Sequence, residues 1–64
     1  MNNGRIYWVE FKHPHFGWLD TEYEFTTLQG AMDRVHTSRS GYPQRVVSQS
    51  VSGDDRRVNY RDPK

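Results

Sequence analysis

Carboxylates occupy every second position of one short segment, and this spacing is the clearest chemical signal in the chain. The segment reads WLDTEYEF and contains Asp20, Glu22 and Glu24. Side chains at i, i+2 and i+4 of a β-strand stand on one face, so a strand here presents a row of negative charges. Such a row steers a basic partner toward it, although carboxylates are also ordinary on the solvated face of an antiparallel sheet.

Two tryptophans are predicted to lie on the same face as these carboxylates. Trp18 begins the row, and alternation in the preceding segment RIYWVEFK places Trp8 and Glu10 outward as well. A single helix covers one face of a small sheet, so we expect both indoles to be substantially exposed. Because tryptophan is enriched in binding hot spots, this face is a candidate partner-binding surface, with a solvated face as the alternative. We call it the acidic–aromatic face, and its residues are Trp8, Glu10, Trp18, Asp20, Glu22 and Glu24.

The second half of the chain carries the opposite charge. Residues 1–33 hold two basic and five acidic side chains, whereas residues 34–64 hold seven basic and three acidic ones. Arginines interleaved with Tyr42 and Tyr60 can follow phosphates and stack on bases; they can also dock on an acidic protein or remain solvated. This candidate basic surface comprises Arg34, Arg39, Arg45, Arg56, Arg57 and Arg61.

No pattern in the chain predicts catalysis. The 64 residues include no cysteine, which excludes thiol nucleophiles and cysteine-based metal clusters. There is no glycine-rich phosphate loop and no G-x-S-x-G sequence, and a chain of this length offers no deep pocket. His13 and His15 have a spacing that suits a metal ion, but no third ligand is evident, and the pair equally suits a polar turn. We therefore expect no catalytic residues, no cofactor and no metal site.

The length of 64 residues predicts one small domain over residues 1–64, with flexible ends at about 1–4 and 62–64. Strands are predicted over residues 5–12, 18–25, 44–51 and 56–61. The predicted fold class is α+β: an antiparallel sheet of three to four strands in the order ββαβ(β), with one helix packed on one face.

The helix between the second and third strands is predicted from an apolar stripe. Leu28, Ala31, Met32 and Val35 recur at i, i+3, i+4 and i+7. Thr26 is the expected N-cap, with the side chain three residues later, Gln29, closing a capping box. The expected core consists of Tyr7, Val9, Phe11, Leu19, Tyr23, Phe25, Leu28, Met32 and Val35.

Hydropathy argues against a membrane partner. The longest apolar run is Ile6–Val9, whereas a membrane span needs about 20 residues. The first residues, MNNGR, lack the apolar stretch of a signal peptide. We therefore expect a cytoplasmic protein. An exposed edge strand would permit a symmetric dimer, so a monomer and a homodimer are both expected states.

The layout resembles a family of small phage proteins. The aromatic-rich hairpin, the T-L-x-x-A helix start at 27–31 and the Arg45–Val46 step are similar to features of the short RNA polymerase inhibitors of podophages. The resemblance is one of residue types over residues 5–50, and Gly30 and residues 52–61 depart from it. It implies docking on a polymerase jaw through a strand-borne arginine, here Arg45, and an acidic strip, here the three-carboxylate row.

These observations favour a non-enzymatic small binding protein that docks on a larger host or partner protein. Under the resemblance, it is a phage inhibitor of a host enzyme such as RNA polymerase, and it acts in the host cell cytoplasm. The alternative is a small nucleic-acid-binding protein that uses the arginine-rich second half.

Overall fold

Four antiparallel strands and one helix make up the part of the chain that the computed structural model describes, residues 4–38 and 41–62. The elements are β1 (Arg5–His13), β2 (Gly17–Phe25), α1 (Leu28–Thr37), β3 (Gln44–Ser50) and β4 (Arg57–Arg61). The strands form one sheet in the order β2-β1-β3-β4, and every neighbouring pair is antiparallel. The predicted α+β fold with one helix is therefore confirmed.

The described residues contain no helix that is long and apolar enough to cross a membrane. Residues 1–3, 39–40 and 63–64 lie outside the described part. Most of the predicted flexible ends, and Arg39 of the candidate basic surface, therefore fall outside it.

β3 is the most deeply buried strand, although it contains no aromatic residue. Gln44, Val46, Val47 and Ser48 are each at most 2% exposed. β3 pairs with β1 along its whole length and with β4 on its other side, so its backbone is covered from both flanks. Short side chains suffice for burial in such a central strand, because the neighbouring strands already exclude water.

The core beneath the helix follows the predicted apolar stripe. Val9, Ala31, Val35 and Val46 form the buried cluster, and partly buried side chains pack against it: Tyr7, Phe25, Leu28, Met32 and Tyr60. The prediction that Tyr23 belongs to this core is wrong, since it is 47% exposed. Tyr23 lies on the edge strand β2, where the Arg34 guanidinium carbon lies 3.9 Å from its ring centroid.

The helix begins one residue later than predicted. Thr27, not Thr26, is the N-cap, and its hydroxyl accepts the backbone N–H of Gly30 at 3.1 Å. The predicted capping box is absent because Gln29 then falls at the second helical position. A Cβ on Gly30 would lie 3.3 Å from the Phe25 ring, so glycine allows the first turn to approach the sheet closely.

Candidate functional site

The acidic–aromatic face and part of the basic surface, predicted as alternatives, lie on the same side of the sheet. We call this side, opposite α1, the outer face. Strand register places the predicted residues next to one another through the Cα pairs Trp8↔Glu24, Glu10↔Asp20, Lys12↔Trp18 and Glu10↔Arg45. The charge separation seen along the sequence is therefore partly cancelled in space.

Glu10 lies at the centre of the outer face and is only 7% exposed. Its Oε1 accepts from Arg45 Nη2 at 2.7 Å and Arg45 Nε at 2.9 Å. Its Oε2 accepts from Arg56 Nη2 at 3.1 Å and from Trp8 Nε1 at 2.9 Å. A buried carboxylate requires this kind of compensation. Glu10, predicted as an outward partner contact, is thus engaged within the chain.

Arginine side chains also cover both indoles of the outer face. The Arg45 guanidinium carbon lies 4.2 Å from the Trp18 ring centroid, and that of Arg56 lies 5.9 Å from the Trp8 ring centroid. Cations over an indole face are attracted by its π electrons. Both tryptophans are half-buried, so the prediction of substantial exposure is wrong. A single helix does leave this face open, but long side chains from β3 and the turn before β4 cross it.

A bulge interrupts the regular alternation of β2. Three residues, Thr21–Tyr23, stand opposite the single residue Val9 of β1. At the centre of the bulge Glu22 has a φ of 71°, and its N–H donates to Asp20 Oδ1 at 2.7 Å. All three carboxylates are exposed, but register places only Asp20 and Glu24 opposite outer-face residues of β1. Glu22 projects from the bulge at the edge.

The arginines of the candidate basic surface do not form one patch. Arg34 lies on α1, whereas Arg45 and Arg61 are neighbours in strand register on the outer face of the sheet. Arg57 lies opposite Ser48, on the helix side, and binds Asp55 at 2.8 Å.

Three arginines of this surface have a carboxylate partner: Arg45, Arg56 and Arg57. Asp55 binds Arg5 at 3.0 Å as well as Arg57, and hydrogen bonds from Arg57 and then Arg5 lower the pKa of Asp55 below its ordinary value. In the same turn, hydrogen bonds from the hydroxyls of Ser50 and Ser52 lower the pKa of Asp54. Among the described residues of this surface, Arg34 and Arg61 form no ion pair.

A shallow groove of about 300 Å³ opens on the outer face near the start of β1. Apolar side chains from β1 and the β3–β4 turn line one part, and two β2 carboxylates line another. The lining includes Ile6, Trp8, Asp20, Glu24, Gln49 and Val51. None of the groove's lining residues is basic.

The histidine pair belongs to the turn between β1 and β2. His13 Nδ1 accepts the backbone N–H groups of His15 at 3.0 Å and Phe16 at 3.3 Å, so the imidazole orders the turn. The adjacent Phe16 is 74% exposed. Within residues 4–38 and 41–62, no three histidine, aspartate or glutamate side chains are grouped to hold a metal ion.

Sequence reasoning missed the burial of Val47 on the outer face. Two consecutive valines in a strand point to opposite sides of the sheet, so Val46–Val47 was a signal that both faces are covered.

Comparisons with family models, with curated proteins and with solved structures find no match to this chain.

Proposed function

We propose that this chain is a non-enzymatic binding protein that docks on a basic surface of a larger partner protein. One observation carries the proposal: Asp20, Glu22 and Glu24 are exposed, and none of them forms an ion pair within the described part of the chain. Their negative field is therefore available to a partner.

The basic residues support docking less well. Arg45 and Arg56 bind Glu10, and Arg57 binds Asp55. Each of these pairs cancels charge that a phosphate backbone would otherwise attract. This difference favours the protein-docking function over the nucleic-acid alternative.

The form of β2 supports recognition by side chains rather than by strand addition. An edge strand pairs less readily with another strand when it contains a bulge and when its backbone N–H groups already donate within the chain. The N–H of Glu22 already donates to Asp20, and the N–H of Tyr23 lies 3.4 Å from the Thr21 hydroxyl oxygen that accepts it. The exposed carboxylates at this edge are thus available to a partner.

The resemblance to podophage inhibitors supplies the finer proposal, a phage protein that inhibits a host enzyme such as RNA polymerase. Under that resemblance Arg45 would contact the polymerase. Its side chain is only 14% exposed and is held between Glu10 and Trp18. We therefore assign recognition to the carboxylates and a supporting role to Arg45.

The test compares an acidic variant with a basic one. In the acidic variant Asp20→Asn, Glu22→Gln and Glu24→Gln are combined; in the basic control Lys12→Gln and Arg61→Gln are combined. Arg45 and Arg56 are left unchanged because their removal would leave the buried carboxylate of Glu10 without an ion-pair partner. Both variants should stay folded, with unfolding free energies within about 0.5 kcal/mol per substitution of the original chain.

The readout is the association rate with purified bacterial RNA polymerase, or with a protein captured from lysate if the polymerase does not bind. The acidic variant should associate about tenfold more slowly at low salt, and the difference should shrink as salt rises. Loss of binding in the basic control alone would overturn the proposal. Filter binding to DNA and RNA would then test the nucleic-acid alternative.

A further inference from the structure

The outer face binds guanidinium groups in a repeated way. Arg45 stacks on Trp18 and bonds to Glu10, and Arg56 lies over Trp8 and bonds to the same carboxylate. In both cases an indole face and a carboxylate receive one arginine together. Such combined sites are favourable because the ring attracts the cation while the carboxylate takes its N–H donors.

The groove near the start of β1 combines the indole of Trp8, whose ring centroid lies 5.9 Å from the Arg56 guanidinium carbon, with carboxylates that have no arginine of their own. Trp8 and Glu24 are neighbours across β1 and β2, and Asp20 lines the same groove. Neither carboxylate forms an ion pair within residues 4–38 and 41–62, and no lining residue is basic. Both carboxylates are thus available to a cationic group of a partner.

We infer that this groove receives one arginine or lysine side chain of the partner protein. The inference rests on the proposed function and specifies the chemistry of the contact. Ile6 and Val51 are exposed by 37% and 54% and supply an apolar wall for the methylene stem. Asp20 and Glu24 receive the charged head, as an amphipathic cationic side chain requires.

The size of the groove agrees with this occupant. Sites for small ligands usually measure about 300–1,000 Å³, and this groove of about 300 Å³ is open to solvent. It therefore suits a single inserted side chain rather than an enclosed ligand. Charge selects a cationic one over an apolar or acidic one.

The test uses the capped tripeptide acetyl-Gly-Arg-Gly-amide, with a citrulline-containing peptide as its neutral counterpart. Isotope-labelled protein is titrated by NMR, and the indole N–H of Trp8 and the amides of Glu24 and Gln49 are followed. The arginine peptide should give saturable shifts at these positions with millimolar affinity, and the citrulline peptide should not.

Two variants separate the groove from the acidic edge in general. Combined Asp20→Asn and Glu24→Gln should weaken arginine binding about tenfold. Asn at position 20 still accepts the N–H of Glu22, so the bulge is retained. Glu22→Gln is the matched control, since Glu22 is on the same strand but does not line the groove; it should change affinity by less than about twofold.

Several results would overturn the inference. They are equal weakening by Glu22→Gln, equal shifts with citrulline, or no saturable shift at all. If the acidic variant still associates more slowly with the partner in these cases, the proposed function stands and only the groove assignment fails. If the groove binds arginine but the acidic variant associates with the partner as fast as the original chain, the site is supported and the proposed function fails.

Discussion

At the residue scale, Glu10 controls what the neighbouring side chains can do. It receives two arginines and one indole N–H while almost fully buried. It therefore joins β1 to β3 and to the turn before β4. Because Arg45 and Arg56 bind Glu10, they do not form ion pairs with the exposed carboxylates of β2.

Replacing Glu10 with Gln tests this role. The substitution leaves Arg45 charged, 14% exposed and without its carboxylate, so we expect a loss of about 3 kcal/mol in unfolding free energy. Urea denaturation followed by tryptophan fluorescence measures it. A domain of this size holds only about 3–5 kcal/mol, so the variant should keep at most about 2 kcal/mol and unfold at a much lower urea concentration.

Glu24→Gln is the control for that measurement, since it removes an exposed carboxylate from the same face. Its unfolding free energy should stay within about 0.5 kcal/mol of the original chain. A Glu10→Gln variant as stable as this control would show that the ion-pair network does not hold the outer face together.

At the scale of the elements, the start of α1 and the bulge of β2 depend on short polar side chains. Thr27 caps α1, and Asp20 bonds the amide of Glu22 in the β2 bulge. Such local bonds satisfy backbone groups that regular structure leaves free. The Thr27 cap fixes where the helix begins, and the bond from Glu22 to Asp20 holds Glu22 in the bulge, out of the regular alternation of β2.

Thr27→Ala and Thr26→Ala distinguish the observed N-cap from its neighbour. Loss of the hydroxyl that accepts the Gly30 N–H should cost about 1 kcal/mol. Thr26→Ala should change stability by less than about 0.5 kcal/mol. Thermal unfolding by circular dichroism gives both values, and the opposite order would move the cap to Thr26.

At the scale of the whole molecule, the sheet has covered residues on both sides. The helix buries Val46 on one side, and Val47 is 0% exposed on the other. Register places Val47 between Trp8 and Val58, on the face that the arginines cross. A layer of indoles and arginine stems thus substitutes for a second helix.

Val46→Ala and Val47→Ala should therefore be destabilising by similar amounts, about 2 kcal/mol each. Val51→Ala, at a position that is 54% exposed, should change stability by less than about 0.5 kcal/mol. Urea denaturation compares the three. If Val47→Ala behaved like Val51→Ala, the outer layer would contribute no packing energy.

The sequence by itself determined the elements, because their signals are local. Alternation defined the hairpin and the edge strand β4, and the stripe of Leu28, Ala31, Met32 and Val35 defined the inner side of α1. It also identified the outer-face residues of β1 and the acidic character of β2. Its errors at this level were small shifts, such as the N-cap at Thr27.

Only the tertiary structure decided which of those residues are available to a partner. Arg45 and Arg56 lie 35 and 46 residues from Glu10 along the chain, yet both bind it because β3 pairs with β1. Strand order is a non-local property that periodicity does not contain. It made Glu10 a buried junction, covered the indoles, and left Asp20 and Glu24 exposed on that face without an ion pair among the described residues.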